Sequence, residues 1–92
     1  MITELKPVFV ETMPDTMVDG EIYVSVKYGV SIHLCICGCK NKIVLPFNSK
    51  GDGYNWKYER SGDNVSFSPS VGNWQLPCKT HYFIKNNKII QA

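Results

Sequence analysis

Three of the four cysteines in this 92-residue chain lie in one short stretch, Cys35–Cys39, and this clustering constrains the fold more than any other feature. The fourth, Cys78, comes much later and is followed three residues on by His81. Each group supplies a pair of soft ligands, and a metal bound by both would join two loops that are distant in sequence. The pattern therefore predicts a metal site that ties the two halves of the chain together.

The candidate metal ligands are Cys35, Cys37, Cys39, Cys78 and His81. A closed tetrahedral site that uses Cys78 and His81 needs two of the three clustered thiols. Cys39 follows a glycine at the expected turn and is predicted to be one of them, while Cys35 and Cys37 compete for the other place. A thiolate-rich set favours zinc, with iron as the alternative.

The cysteines also admit two interpretations without a metal, and the role of His33 stays open. A single disulfide from Cys78 to the cluster can be drawn, although cysteines one residue apart rarely meet disulfide geometry with each other. Inert buried thiols are the second interpretation, because cysteine is among the most buried residue types. His33 either completes a two-Cys, two-His set, supports a ligand through a hydrogen bond, or is an exposed strand residue, and the last two interpretations are favoured.

Length and charge limit the class of protein. A chain of 92 residues predicts one domain, 1–92, whose small core a metal would stabilise. A net charge of +2 is too small for an electrostatic grip on nucleic acid. The start, Met1–Lys6, lacks the pattern of a signal peptide, and no apolar run is long enough to cross a membrane. We therefore expect a cytoplasmic protein with neither a membrane nor a nucleic-acid partner, in a reducing compartment where thiol clusters bind metals.

Alternation of apolar and polar residues predicts strands in the first half of the chain. Glu21–Tyr28 shows the clearest period of two, and Val30–Ile36 repeats it, with the histidine and the cysteines on one face. Ile43–Phe47 then predicts the return arm of a hairpin whose tip is the cysteine cluster. Leu5–Val10 is also strand-like, and Pro7 indicates that this strand either lies at a sheet edge or begins at Val8.

The second half predicts two more hairpins, from Tyr54–Arg60, Val65–Ser68, His81–Ile84 and Lys88–Gln91. Ser68–Pro77 has neither strand nor helix period and predicts an ordered loop anchored by Trp74. No window shows sustained helical spacing. The expected fold is all-β, a small antiparallel meander that forms an open barrel or a sandwich, with the metal at hairpin loops.

No catalytic residue is predicted. The carboxylates fall in turns or on polar faces, and no pair of them has a spacing that indicates acid–base chemistry. The aromatic side chains that alternate along Tyr54–Tyr58 are typical of core or cross-strand packing. The sequence thus favours a binding module over an enzyme.

Four blocks carry a resemblance: Gly20–Ser25, His33–Cys39, Ser68–Trp74 and Cys78–Ile84. Together they resemble the bacterial and phage family DUF6527, whose members are similar to predicted metal-binding proteins. Ile36, Lys40 and Ile90 stand where that pattern has proline, glycine and tryptophan. The resemblance implies a non-catalytic adaptor or accessory protein, linked through a protein partner to bacterial ubiquitin-like conjugation. The alternative is a small iron or iron–sulfur electron-transfer protein of rubredoxin or Rieske type.

Overall fold

The computed structural model describes residues 2–47, 56–72 and 79–91, which form eight β-strands and no helix. In chain order the strands are β1 Lys6–Phe9, β2 Glu21–Ser25, β3 Val30–Leu34, β4 Lys42–Pro46, β5 Lys57–Ser61, β6 Asn64–Gly72, β7 His81–Lys85 and β8 Lys88–Gln91. They make two four-stranded sheets, β1-β2-β3-β4 and β5-β6-β7-β8, that do not close into a barrel. The all-β prediction is confirmed. Within the described part of the chain, no helix could cross a membrane.

Side chains from both sheets meet in one core. Ile22 and Leu45 enter it from the first sheet, and Phe67, Tyr82 and Ile84 enter it from the second, each at most 2% exposed. Successive side chains of a strand point to opposite faces, and in β6 the buried Phe67 accordingly lies between two serines. Burial of this apolar surface, at about 25 cal/mol per Å², is the main force that holds the sheets together.

The first sheet departs from the prediction in length and direction. β2 ends at Ser25, three residues before the predicted strand end, because the Gly29 N–H donates to the Val26 carbonyl and turns the chain. Tyr28 is therefore 60% exposed. β1 lies at the sheet edge as Pro7 predicted, but it runs parallel to β2, whereas all other strand pairs are antiparallel.

The cysteine cluster occupies the tip of the β3–β4 hairpin, as predicted. Leu34 pairs with Lys42, and the Cys35 N–H donates to the Asn41 carbonyl at 2.8 Å. Gly38 has a φ of 90°, a left-handed conformation that glycine adopts without steric cost. The tip therefore folds back on itself and brings its side chains close together.

Both predicted hairpins of the second sheet are present. The β7–β8 turn places Asn86 and Asn87 at φ values of 48° and 70°, as a type I′ turn requires. The predicted loop Ser68–Pro77 is wrong in its first half, because β6 continues to Gly72. The other half, with Trp74, lies outside the described residues, as do Tyr54 and Cys78.

The start of the chain is fastened to the last hairpin. The Leu5 N–H donates to the Asn87 carbonyl at 2.7 Å, and the Ile89 N–H donates to the Thr3 carbonyl at 2.8 Å. The Leu5 side chain is fully buried in the core. Asn87 also accepts a hydrogen bond at its Oδ1 from the Val65 N–H, at 2.7 Å. These contacts connect the segment before β1 with β8 and with the β7–β8 turn, and Asn87 of that turn extends the connection to β6.

Candidate functional site

Three thiols converge at the tip of the β3–β4 hairpin. The Sγ atoms of Cys35, Cys37 and Cys39 all lie within 4.8 Å of one another. The Cys35–Cys37 distance is 3.4 Å, well beyond the roughly 2.05 Å of a disulfide bond. Sulfurs around tetrahedral zinc, each about 2.3 Å from the metal, are about 3.8 Å apart. The three thiols therefore fit three positions of one metal site.

The thiols differ in exposure and acidity. Cys35 is buried, Cys37 is partly buried and Cys39 is exposed. The pKa of Cys39 is lowered to about 6, chiefly by a backbone hydrogen bond from Asn41 and then by hydrogen bonds from the Cys37 thiol and the Asn41 side chain. The Asn41 Nδ2 donates to the Cys39 Sγ at 3.1 Å. Thiolate is the form that binds metals, so Cys39 is prepared as a ligand at neutral pH.

The hairpin tip lies against the segment that precedes β7. The Cys35 Sγ is 3.6 Å from the Thr80 Oγ1, a contact between residues that are 45 positions apart. Cys78 lies outside the described residues, so its predicted ligation stays a prediction. The contact through Thr80 nevertheless brings together the two stretches from which the ligands were predicted.

His33 is a core residue, and the expectation that it is an exposed strand residue is wrong. Its side chain is fully buried, with the Nε2 2.7 Å from the Tyr82 hydroxyl. Burial lowers the pKa of His33 to about 3, so the ring is neutral. Its Nδ1 has no hydrogen-bond partner among the described residues. His33 thus links β3 to β7 through the core.

A serine and a histidine meet on the second sheet. The Ser70 Oγ of β6 is 2.7 Å from the His81 Nε2 at the start of β7, and both side chains are partly buried. Within the part of the chain that the structure describes, the cluster of close metal-binding atoms contains the three thiols and not His81. Ligation of a metal by His81 therefore stays a prediction, while its contact with Ser70 is a feature of the fold.

A bulge in β6 lies beside this contact. Phe67 pairs with Ile84, whereas Val71 pairs with Tyr82, so three residues of β6 lie opposite one residue of β7. Extra residues of this kind kink a strand and redirect its side chains, and they recur beside active sites. Beyond the bulge, Gly72 pairs with His81, so Ser70 and His81 are diagonal neighbours on the sheet.

Sequence reasoning missed Ser70, because it fell within a predicted loop and no motif joins it to a histidine 11 residues away. The one available signal was Pro69, since proline inside a strand is confined to edges, first residues and bulges. A serine hydroxyl hydrogen-bonded to imidazole is the usual arrangement of an activated nucleophile. The site can therefore support acyl transfer as well as metal binding.

These features define a class: a small all-β protein with a serine–histidine pair close to a cluster of thiols. A family model described as bacterial ubiquitination-like system serine protease (BubE) matches residues 9–92. The chain therefore belongs to this family. Comparisons with curated proteins and with solved structures found no match. The narrower resemblance to DUF6527 stays a prediction.

Proposed function

We propose that this protein is a serine protease that cleaves a polypeptide partner in a bacterial ubiquitination-like system, with Ser70 as nucleophile and His81 as general base. The observation that carries the proposal is the 2.7 Å distance between the Ser70 Oγ and the His81 Nε2. The family description, which names a serine protease of such a system, supports it. This proposal replaces the expectation of a protein without catalytic residues.

The chemistry needs one proton carrier and one nucleophile. In the tautomer with its proton on Nδ1, His81 accepts the Ser70 hydroxyl proton at Nε2 as the Oγ bonds to the substrate carbonyl carbon. The imidazolium then gives that proton to the leaving nitrogen as the C–N bond breaks, which leaves an ester on Ser70. A water molecule, deprotonated by the same nitrogen, attacks the ester and releases the acid while the proton returns to Ser70.

Diisopropyl fluorophosphate tests the nucleophile without knowledge of the substrate. The reagent forms a phosphoester with an activated serine and releases fluoride, so intact-mass spectrometry should show one adduct, and peptide mapping should locate it at Ser70. Ser70→Ala should show none. Ser68→Ala removes an exposed serine of the same strand, and this variant should be labelled to the same extent as the protein without substitutions. Labelling that persists in Ser70→Ala would contradict the proposal.

We further propose a zinc ion held by Cys35, Cys37, Cys39 and Cys78. Bound zinc supplies a tetrahedral, redox-inert cross-link and no proton transfer. A histidine nitrogen that ligates a metal cannot also accept the serine proton, so a four-thiol set leaves the His81 Nε2 to Ser70. Such a set persists under reducing conditions, which supports a cytoplasmic location.

A second candidate is a non-catalytic zinc adaptor in which His81 is itself a ligand and the protein acts through a partner. The group of thiols within 4.8 Å, with Cys35 against Thr80, favours it. His81→Ala separates the two candidates: the protease should keep its metal and lose labelling at Ser70, whereas the adaptor should lose the metal. Visible absorption of the purified protein would indicate iron and an electron-transfer role instead.

A further inference from the structure

The outer face of the second sheet carries an apolar groove beside Ser70. Phe83 of β7 and Ile90 of β8 pair across the strands and are 42% and 47% exposed. They line a groove of about 410 Å³, together with Ser68 and the side chains of Lys57 and Glu59. This volume lies within the range of ligand sites, roughly 300–1,000 Å³.

The groove lies next to the serine–histidine pair, although neither Ser70 nor His81 is part of its lining. His81 and Phe83 are two residues apart on the outer face of β7, and their ring centroids are 6.4 Å apart. Ser68, in the groove wall, precedes Ser70 by two residues in β6. An extended peptide advances about 3.3 Å per residue. A substrate whose carbonyl lies at the Ser70 Oγ therefore reaches the groove within about two residues.

The lining favours an apolar occupant. Phe83 and Ile90 are the large apolar side chains of the lining that are exposed. At the rim, the Lys57 Nζ is 3.1 Å from the Glu59 Oε1, so these opposite charges offset each other. Lys85 is the other charged group in the lining. The groove therefore offers contact area to a hydrocarbon side chain and no strong field to select an acidic or basic one.

We propose that this groove is the subsite for an apolar side chain of the substrate polypeptide, one or two residues from the bond that Ser70 cleaves, and that Phe83 and Ile90 set this preference. The inference rests on the proposed protease function. It identifies substrates as polypeptides with an aliphatic or aromatic residue next to the cleavage site. Hydrophobic subsites of enzymes commonly discriminate between substrates by about 10- to 200-fold.

Ile90→Lys tests the groove without altering the serine–histidine pair, because it changes a residue of β8. Val44→Lys is the matched control: Val44 is 50% exposed and lies on the first sheet. Both variants would be reacted with diisopropyl fluorophosphate and with peptidyl diphenyl phosphonates that carry leucine or aspartate at the first or second position from phosphorus. Ile90→Lys should slow the leucine probe by about tenfold, leave the small reagent unaffected and reduce the preference for leucine over aspartate.

Each outcome decides between the two proposals. If Ile90→Lys reacts with the leucine probe as fast as Val44→Lys does, or if it slows all reagents equally, the groove is not the subsite, although labelling of Ser70 still supports a protease. If the small reagent labels no variant at Ser70, the protease proposal fails.

In that case, peptide binding tests the groove by itself. Ser70→Ala would be titrated with end-blocked hexapeptides that contain leucine or aspartate, and NMR would record the chemical-shift changes. Saturable shifts at Phe83 and Ile90 with the leucine peptide, weaker for the aspartate peptide and lost in Ile90→Lys, support it as a peptide site. Their absence overturns it.

Discussion

The tip of the β3–β4 hairpin and the bulged end of β6 both gather chemically active side chains, but they do so in opposite ways. At the tip, one tight turn supplies all three thiols from Cys35–Cys39. Beside the bulge, Ser70 and His81 come from different strands and meet only through the pairing of β6 with β7. The comparison teaches that clusters made by a local turn can be found in a sequence, whereas pairs made by sheet register cannot.

The largest effect should come from removal of the serine hydroxyl. Ser70→Ala should lower hydrolysis of an activated ester by about a thousandfold or more, because loss of the nucleophile leaves only residual catalysis. Metal content by elemental analysis should stay unchanged, since the thiols are untouched. Ser68→Ala should retain both properties. A loss of metal in Ser70→Ala would mean that the two regions form one site.

Removal of the bulge should have the next largest effect. Deletion of Ser68 and Pro69 gives β6 the residue count of a regular ladder against β7, so that Ser70 would follow Phe67 directly and lie opposite Phe83, without the kink that now precedes it. Loss of the kink should displace the Ser70 hydroxyl by about 1 Å, and a misplacement of this size should reduce ester hydrolysis by about a hundredfold. Amide chemical shifts of β7 and β8 would verify that the sheet persists. Unchanged hydrolysis would show that the bulge does not position the serine.

Within the thiol cluster, substitution of the buried cysteine and of the exposed cysteine should differ in their effect on stability. In the presence of a chelator, Cys35→Ser should lower the free energy of unfolding by about 1–3 kcal/mol, because a buried hydroxyl replaces a thiol in the core. The exposed Cys39→Ser should leave it nearly unchanged. Urea titrations would measure both values. Without chelator, each variant should lose metal, and equal destabilisation of the two chelated variants would contradict this account.

The smallest effect, counted per pH unit, comes from acidification. The pKa of His33 is about 3 in the folded protein and 6.5 ordinarily, because burial disfavours the imidazolium. Between pH 6.5 and 3, the His33 imidazole is therefore protonated in the unfolded chain and neutral in the folded chain. The free energy of unfolding should fall as pH falls through this window, by at most about 1.4 kcal/mol per pH unit.

His33→Gln supplies the control for that slope. It should show a shallower acid dependence in urea titrations with chelator present, where metal release cannot contribute. Above about pH 7, His33 should contribute no slope, because both states are neutral there. If the free energy of unfolding depends on pH equally in the unsubstituted protein and in His33→Gln, the pKa of His33 is not lowered in the folded state.

The pattern of the residues predicted those parts of the fold that depend on near neighbours. Alternation identified most strands, and Asn86 and Asn87 marked the tight turn before β8. The parallel pairing of β1 with β2 was not predicted, because Pro7 indicates an edge and carries no information on direction. One of the two favoured interpretations placed His33 on an exposed face, because alternation identifies which residues share a face and not which face is covered.

Dependence on near neighbours also explains why the thiol cluster was predicted from the sequence and the Ser70–His81 pair was not. The thiols stood next to one another in the chain, and a cluster was the obvious prediction. Ser70 stood among prolines and a glycine that are typical of loops, and a strand that tolerates them by bulging has no distinct sequence pattern. Only the paired strands, with Val71 opposite Tyr82, place the hydroxyl at the imidazole.

The hydrogen bonds between the first residues and the last hairpin bear on where the folding unit begins. The family match starts at residue 9, yet Leu5 is fully buried and the Thr3 carbonyl accepts the Ile89 N–H. A recombinant protein trimmed to the matched segment would lose that leucine from the core, and loss of a buried leucine side chain commonly costs about 2–5 kcal/mol. Boundaries for expression should therefore follow backbone pairing, because the folding unit is longer than the segment that carries the family signature.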